Sequence, residues 1–196
     1  AQAAMTIYLI AYAVVKYPVL RFHPLGRMWE RESAARGAGF GLPPAIQSGV
    51  SSVGSVFLQH FMNGFGEQTV AAITTAYRVD TVIFLPIINL GSGIATIVAQ
   101  NIGAGDKKHA RRVFRAGTVI MTAVSLGLTA IVLALGTHLI AMFGLTSESV
   151  VIGSRFFRSI SSFYLIYGLS MAIRGYLEGT GDMIFSGVTG ILALIV

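Results

Sequence analysis

The sequence predicts an all-α fold, a polytopic bundle of transmembrane helices, and three observations carry that prediction. Of 196 residues, 54% are hydrophobic and only 11% charged, whereas a soluble domain carries about a quarter charged residues. The mean hydropathy is +0.73. The charges are clumped, leaving uncharged runs at 1–15, 37–66, 81–105, 116–147, 159–173 and 183–196. A helix needs about 20 apolar residues to cross a hydrocarbon core of about 30 Å. The second, third and fourth runs therefore each hold a span, and the fifth does with its flanks.

The elements follow in order. AQAAMTIYLIAYAVV has no basic residue ahead of it, so residues 1–18 read as the end of a preceding transmembrane helix rather than a signal peptide. The chain starts without methionine and stops inside MIFSGVTGILALIV, and reads as a piece of a longer protein. Residues 19–40 form a linker. Within it GRMWERESAARGAGF mixes Met28 and Trp29 with charges of both signs, which fits a short interfacial helix or a solvated connector. Residues 41–196 then hold spans at about 42–65, 70–101, 114–143 and 152–177, with another beginning near 183.

The net charge of +6 does not point to nucleic acid, because no basic face is interleaved with aromatics. It follows the positive-inside rule instead. Lys16, Arg21, Arg27, Arg31 and Arg36 precede the first full span, and Lys107, Lys108, Arg111, Arg112 and Arg115 follow the second, whereas GFGEQT and GLTSES carry no Lys or Arg. The basic loops should be cytoplasmic. Arg155 and Arg158, just after an outer loop, run against that assignment.

Two glycine segments superficially resemble phosphate loops. NIGAGDKK lacks the G-x-x-x-x-G-K-[ST] spacing and follows no strand, so phosphate binding fails on context. The pattern Gly-x-Gly-Asp occurs at 103–106 and again at 179–182. Gly103, Gly105, Gly179 and Gly181 are therefore expected in tight cytoplasmic turns, glycine ending one helix and aspartate capping the next.

Hydrophilic residues inside the spans are the candidate functional groups. Ser48, Ser52, Ser55, Gln59 and Asn63 share one helical face, either packing against a neighbouring helix or lining an aqueous cavity. Arg78, Thr81, Asn89, Ser92, Thr96 and Gln100 form a second stripe, and Pro86 interrupts that span at its middle, a natural bending point. Arg78 and Asp80 lie deep in the span. An intramembrane ion is a functional-site candidate by default, although a structural charge pair is the competing reading. At i and i+2 the two project from different faces and should find partners elsewhere. No catalytic Ser/His/Asp set, HExxH or carboxylate pair occurs within one span, so no enzyme, cofactor or metal site is expected.

With those residues in place, the sequence resembles the multidrug and toxic compound extrusion (MATE) family. The blocks are GLPPAIQSG, FMNGFGEQTVAAITTAYRVDTVIFLPIINL, AQNIGAGDKKHARRVFRAG and YLEGTGDM, over about 40–190. The resemblance implies two six-helix lobes around a central cavity, this chain supplying most of the C-terminal lobe and needing an N-terminal lobe as partner. It also implies secondary active efflux of small amphipathic, often cationic substrates across the cell membrane by alternating access, coupled to H+ or Na+ antiport. A lipid-linked oligosaccharide flippase of a related exporter family is the alternative. The acidic pair of the NorM-like branch falls on Ser51 and Tyr167, so the pattern is closer to the DinF-like branch. Glu178 stands where relatives usually carry arginine. The expected cavity residues are Gln47, Gln59, Asn63, Arg78, Asp80 and Asn89.

Overall fold

The computed structural model describes residues 2–16, 30–144 and 146–195, and those residues form seven helices. They are α1 (Gln2–Lys16), α2 (Arg31–Asn63), α3 (Glu67–Gly103), α4 (Lys107–Ala141), α5 (Ser147–Ser161), α6 (Tyr164–Thr180) and α7 (Met183–Ile195). The chain divides into two compact units at 38/39, a boundary inside α2. The first unit holds α1, which buries no residue, and the first turns of α2, where Glu32 pairs with Arg36. The first half of the sequence-predicted linker, with Arg21, Arg27, Met28 and Trp29, lies outside the described residues. What is described of the interfacial segment is continuous with α2 rather than a separate short helix.

In the second unit α3 is the central helix, packed against α4, α5 and α6. Helices in lipid gain little from hydrophobic exclusion, so close approach of small residues must hold them together. The chain provides such residues on α6, where Gly168, Ala172, Gly175 and Gly179 recur at helical spacing. A Cβ at Gly175 would stand 2.4 Å from the Gly91 carbonyl oxygen of α3, and one at Gly179 would stand 2.6 Å from that of Ala95. Ile87, Ile94, Val98, Met121 and Ala172 fill the space beside this crossing, and Val79, Val132, Ile140, Phe157 and Tyr164 form a second core.

Two turns join the helices by one device. Gly105 (φ 81) and Gly181 (φ 90) are left-handed, and the next residue reaches back five positions, Asp106 N–H to the Asn101 carbonyl at 2.9 Å and Asp182 N–H to that of Leu177 at 3.0 Å. This closes the outgoing helix. The same aspartates cap the incoming helix, accepting from His109 N–H at 2.8 Å and Phe185 N–H at 3.1 Å. Gly103 and Gly179 are not turn residues: the first ends α3 with open space around it, and the second lies within α6, where its missing side chain serves packing.

Two expectations about continuity change. Pro86 does not interrupt α3, which runs unbroken from Glu67 to Gly103. A proline removes its own bond to the carbonyl four residues back and crowds that carbonyl, but the remaining ladder on both sides carries the helix. The single span expected at 152–177 is instead two helices, α5 and α6, bent by 48° at Ser162–Phe163. By length and composition α3 and α4 can each cross a bilayer, and the bent pair makes a third span if taken as one. The polar residues of α2 hold it below that apolarity.

Candidate functional site

Asp80 lies on the buried face of α3 with 3% of its surface exposed. Its partner is Tyr164, whose hydroxyl donates to Asp80 Oδ1. Tyr164 is the first residue of α6 beyond the bend and is itself 1% exposed. The bend is tied to α4 as well, because Thr129 Oγ1 donates to the Ser161 carbonyl at 3.1 Å. That carbonyl, at the end of α5, would otherwise lack an intrahelical donor. Asp80 is thus an enclosed carboxylate at a helix crossing rather than a group on an open cavity wall. Arg78 points elsewhere and makes no ion pair with it.

Arg78 is exposed and lines, with Asn63, Glu67 and Thr74, an open depression of about 580 Å³ at the α2–α3 end of the unit. Gln59 and Asn63 are exposed and bonded to each other, Gln59 Nε2 donating to Asn63 Oδ1 at 3.0 Å. Asn89 is exposed, its Nδ2 donating to the Leu85 carbonyl at 2.7 Å. Throughout both polar stripes the members are exposed. Ser52, Ser55, Thr81, Ser92 and Thr96 satisfy their hydroxyls on carbonyls four residues back. Neither stripe is used for packing within the described bundle.

Gln47 belongs to a different place. It lines a cavity of about 570 Å³ between α2, α6 and α7, together with Ser51, Tyr167, Ser170, Met171, Arg174, Phe185 and Ser186. Its Oε1 is buried without a hydrogen-bond partner. Ser51 and Tyr167, the positions matched to the acidic pair of the NorM-like branch, face this same cavity. Arg174 Nε donates to Glu178 Oε1 at 2.7 Å, and Ser186 Oγ donates to the same oxygen at 3.2 Å, tying α6 to α7. A smaller cavity of about 260 Å³ against α3 shares Tyr167, Met171, Arg174 and Glu178.

Sequence reasoning did not select Arg174 or Glu178 as site residues, because both sit at the end of the expected 152–177 span, next to the glycine turn at 179–182. Their i, i+4 spacing was the available signal. Phe84 of α3 connects the two regions, its ring centroid 5.1 Å from that of Tyr164 and 4.8 Å from that of Tyr167.

Comparison with known proteins supplies the context. The MatE family model matches residues 43–196. "Probable multidrug resistance protein YpnP" of Bacillus subtilis is 25% identical over 93% of this chain and 41% of its own length. "Probable multidrug resistance protein NorM" of Thermotoga maritima is 24% identical over 72% of this chain and 31% of its own. The chain thus spans about two fifths or less of these relatives. A solved MOP superfamily transporter from Pyrococcus furiosus, described as having a binding pocket of reverse polarity, superposes with a TM-score of 0.77. It is 21% identical, with 81% of this chain and 35% of that one covered, and shows the fold.

Proposed function

The chain belongs to the MatE family, and from that premise we propose that it acts as most of one lobe of a secondary transporter. The transporter expels small amphipathic, often cationic compounds across the cell membrane in exchange for H+ or Na+, by alternating access. An N-terminal lobe completes the passage.

The observation that supports this most directly lies on α3. That helix is apolar enough to cross a bilayer, yet it carries an exposed stripe of Arg78, Thr81, Asn89, Ser92, Thr96 and Gln100 and buries an acid, Asp80, on another face. Hydrophilic side chains on a lipid-crossing helix turn toward protein or a water-filled passage. The stripe is free of the described bundle, so the passage is the environment that suits it.

Asp80, enclosed behind the stripe on another face of α3, is a group whose charge can change. A carboxylate takes a substrate cation or a coupling ion in turn, so loading one discharges the other. Because Tyr164 begins α6 at the bend, a change at Asp80 alters what holds α6 against α3. The site is therefore coupled to a break in the bundle rather than to the middle of a rigid helix, and breaks of this kind absorb relative motion.

The test is gradient-driven ethidium export by the full-length protein. Asp80→Asn at equal expression lowers export by at least about tenfold, within the usual span of coupling energies. Unchanged export removes Asp80 from the mechanism, and export that persists without any ion gradient overturns the antiport reading.

A further inference from the structure

We propose that the cavity between α2, α6 and α7 is a binding site for an amphipathic oxyanion, such as an aryl or acyl carboxylate, that also carries an N–H or O–H donor. At about 570 Å³ the cavity is the size of a small organic ligand's site. Among the described residues that line it, Arg174 is the one charged side chain.

The bonding of that arginine determines the sign of the ligand. Its Nε is committed to Glu178 at 2.7 Å, and no described acceptor meets its terminal Nη groups. A guanidinium whose Nε edge is used keeps the edge between its two Nη groups, a fork that matches a carboxylate in bidentate fashion. Glu178 lies outside this cavity's lining and already accepts from Arg174 and from Ser186 Oγ at 3.2 Å. An ammonium ligand would have to displace both donors and sit against a guanidinium, whereas an oxyanion meets free donors and displaces nothing.

Gln47 supplies the second requirement. Its Oε1 is buried and unpartnered, and a buried acceptor without a donor is costly unless something brings one. Tyr167, Met171 and Phe185 offer an apolar and aromatic wall for the remainder of the ligand. A ligand that satisfies the whole lining therefore has an apolar body, a planar anion and one donor.

This inference stands beside the efflux reading rather than on it, because it is measured as binding without any gradient. The probe is radiolabelled hippurate (benzoylglycine), which has a ring, an amide N–H and a carboxylate, in equilibrium dialysis against the detergent-solubilised full-length protein. Saturable binding is expected, stronger than that of benzylammonium and stronger than that of N-methylhippurate, which lacks the donor. Arg174→Gln weakens hippurate binding by about tenfold or more, as loss of a bidentate charge-assisted pair does, and Arg174→Lys falls between. Gln47→Leu abolishes the preference for hippurate over its N-methyl form. Should Arg174→Gln fail to fold with Glu178 unpaired, the Gln47→Leu comparison decides alone. Benzylammonium binding as tight as hippurate, absence of saturable hippurate binding, or an N-methyl preference that Gln47→Leu leaves unchanged overturns the proposal. None of these outcomes bears on the Asp80 export result.

Discussion

The two polar regions of this chain share helix α6 and are built on opposite principles. At Asp80 the carboxylate is buried, with the Tyr164 hydroxyl as its partner. At Arg174 and Glu178 the side chains keep 30% and 26% of their surface; Arg174 borders two cavities and Glu178 one of them, and Glu178 also accepts from Ser186 Oγ of α7. An enclosed charge commits its surroundings to one arrangement, because removing its partner leaves it both buried and unsatisfied. An ion pair at a cavity wall can exchange partners with water or a ligand at small cost. The first region is suited to linking charge to helix position, the second to receiving a molecule.

Both regions depend on the α3–α6 crossing, so the change expected to disrupt them together is at Gly175. A leucine there must push the Gly91 backbone aside, since even a Cβ would approach its carbonyl to 2.4 Å. Overpacking of this kind costs about 3 kcal/mol. Thermal denaturation of the full-length protein in detergent should show a large loss for Gly175→Leu, and Gly103→Ala, with open space around it, should show almost none. Equal behaviour of the two would mean that the crossing does not hold the regions together.

Tyr164→Phe separates the regions. It keeps the ring against Phe84 but removes the hydroxyl that donates to Asp80. A buried acceptor left without its donor costs about 2 kcal/mol, and that loss should disappear in the double variant with Asp80→Leu, where nothing is left unsatisfied. Hippurate binding should be unchanged in Tyr164→Phe, because Tyr164 does not line the Arg174 cavity. Matched losses of stability and of binding would make the two sites one.

How much of this was legible in the sequence differs between the regions for physical reasons. The membrane class and most helix positions follow from where charges are absent, a property of composition. The Gly-Asp turns are local, and their geometry is written in four adjacent residues. Asp80 was conspicuous as an acid deep in an apolar run, but its pairing with Tyr164 spans 84 positions, and a single sequence carries no signal for a contact at that range. The bend was hidden because SISSF contains neither proline nor glycine. Its trace was the serine cluster, where Ser159, Ser161 and Ser162 donate to carbonyls of the turn before the break, a competition with helix hydrogen bonding that weakens continuity. Gln47 shared its motif with the candidates, but the α6–α7 partners that give it a role come from the other end of the chain.

The smallest expected effect is at Glu178, and it is the most discriminating. Glu178→Gln keeps an acceptor for Arg174 Nε and Ser186 Oγ while removing the charge, and for a pair about one quarter to one third exposed the stability change stays below about 1 kcal/mol. A cavity-wall ion pair predicts that this variant folds normally. It also predicts tighter hippurate binding, since the arginine then faces the cavity with its charge uncompensated. A pair that instead serves mainly to fasten α6 to α7 predicts reduced stability with no gain in binding. Thermal denaturation and equilibrium dialysis on the same full-length preparation therefore decide whether the second region differs in kind from the first or is a weaker copy of it.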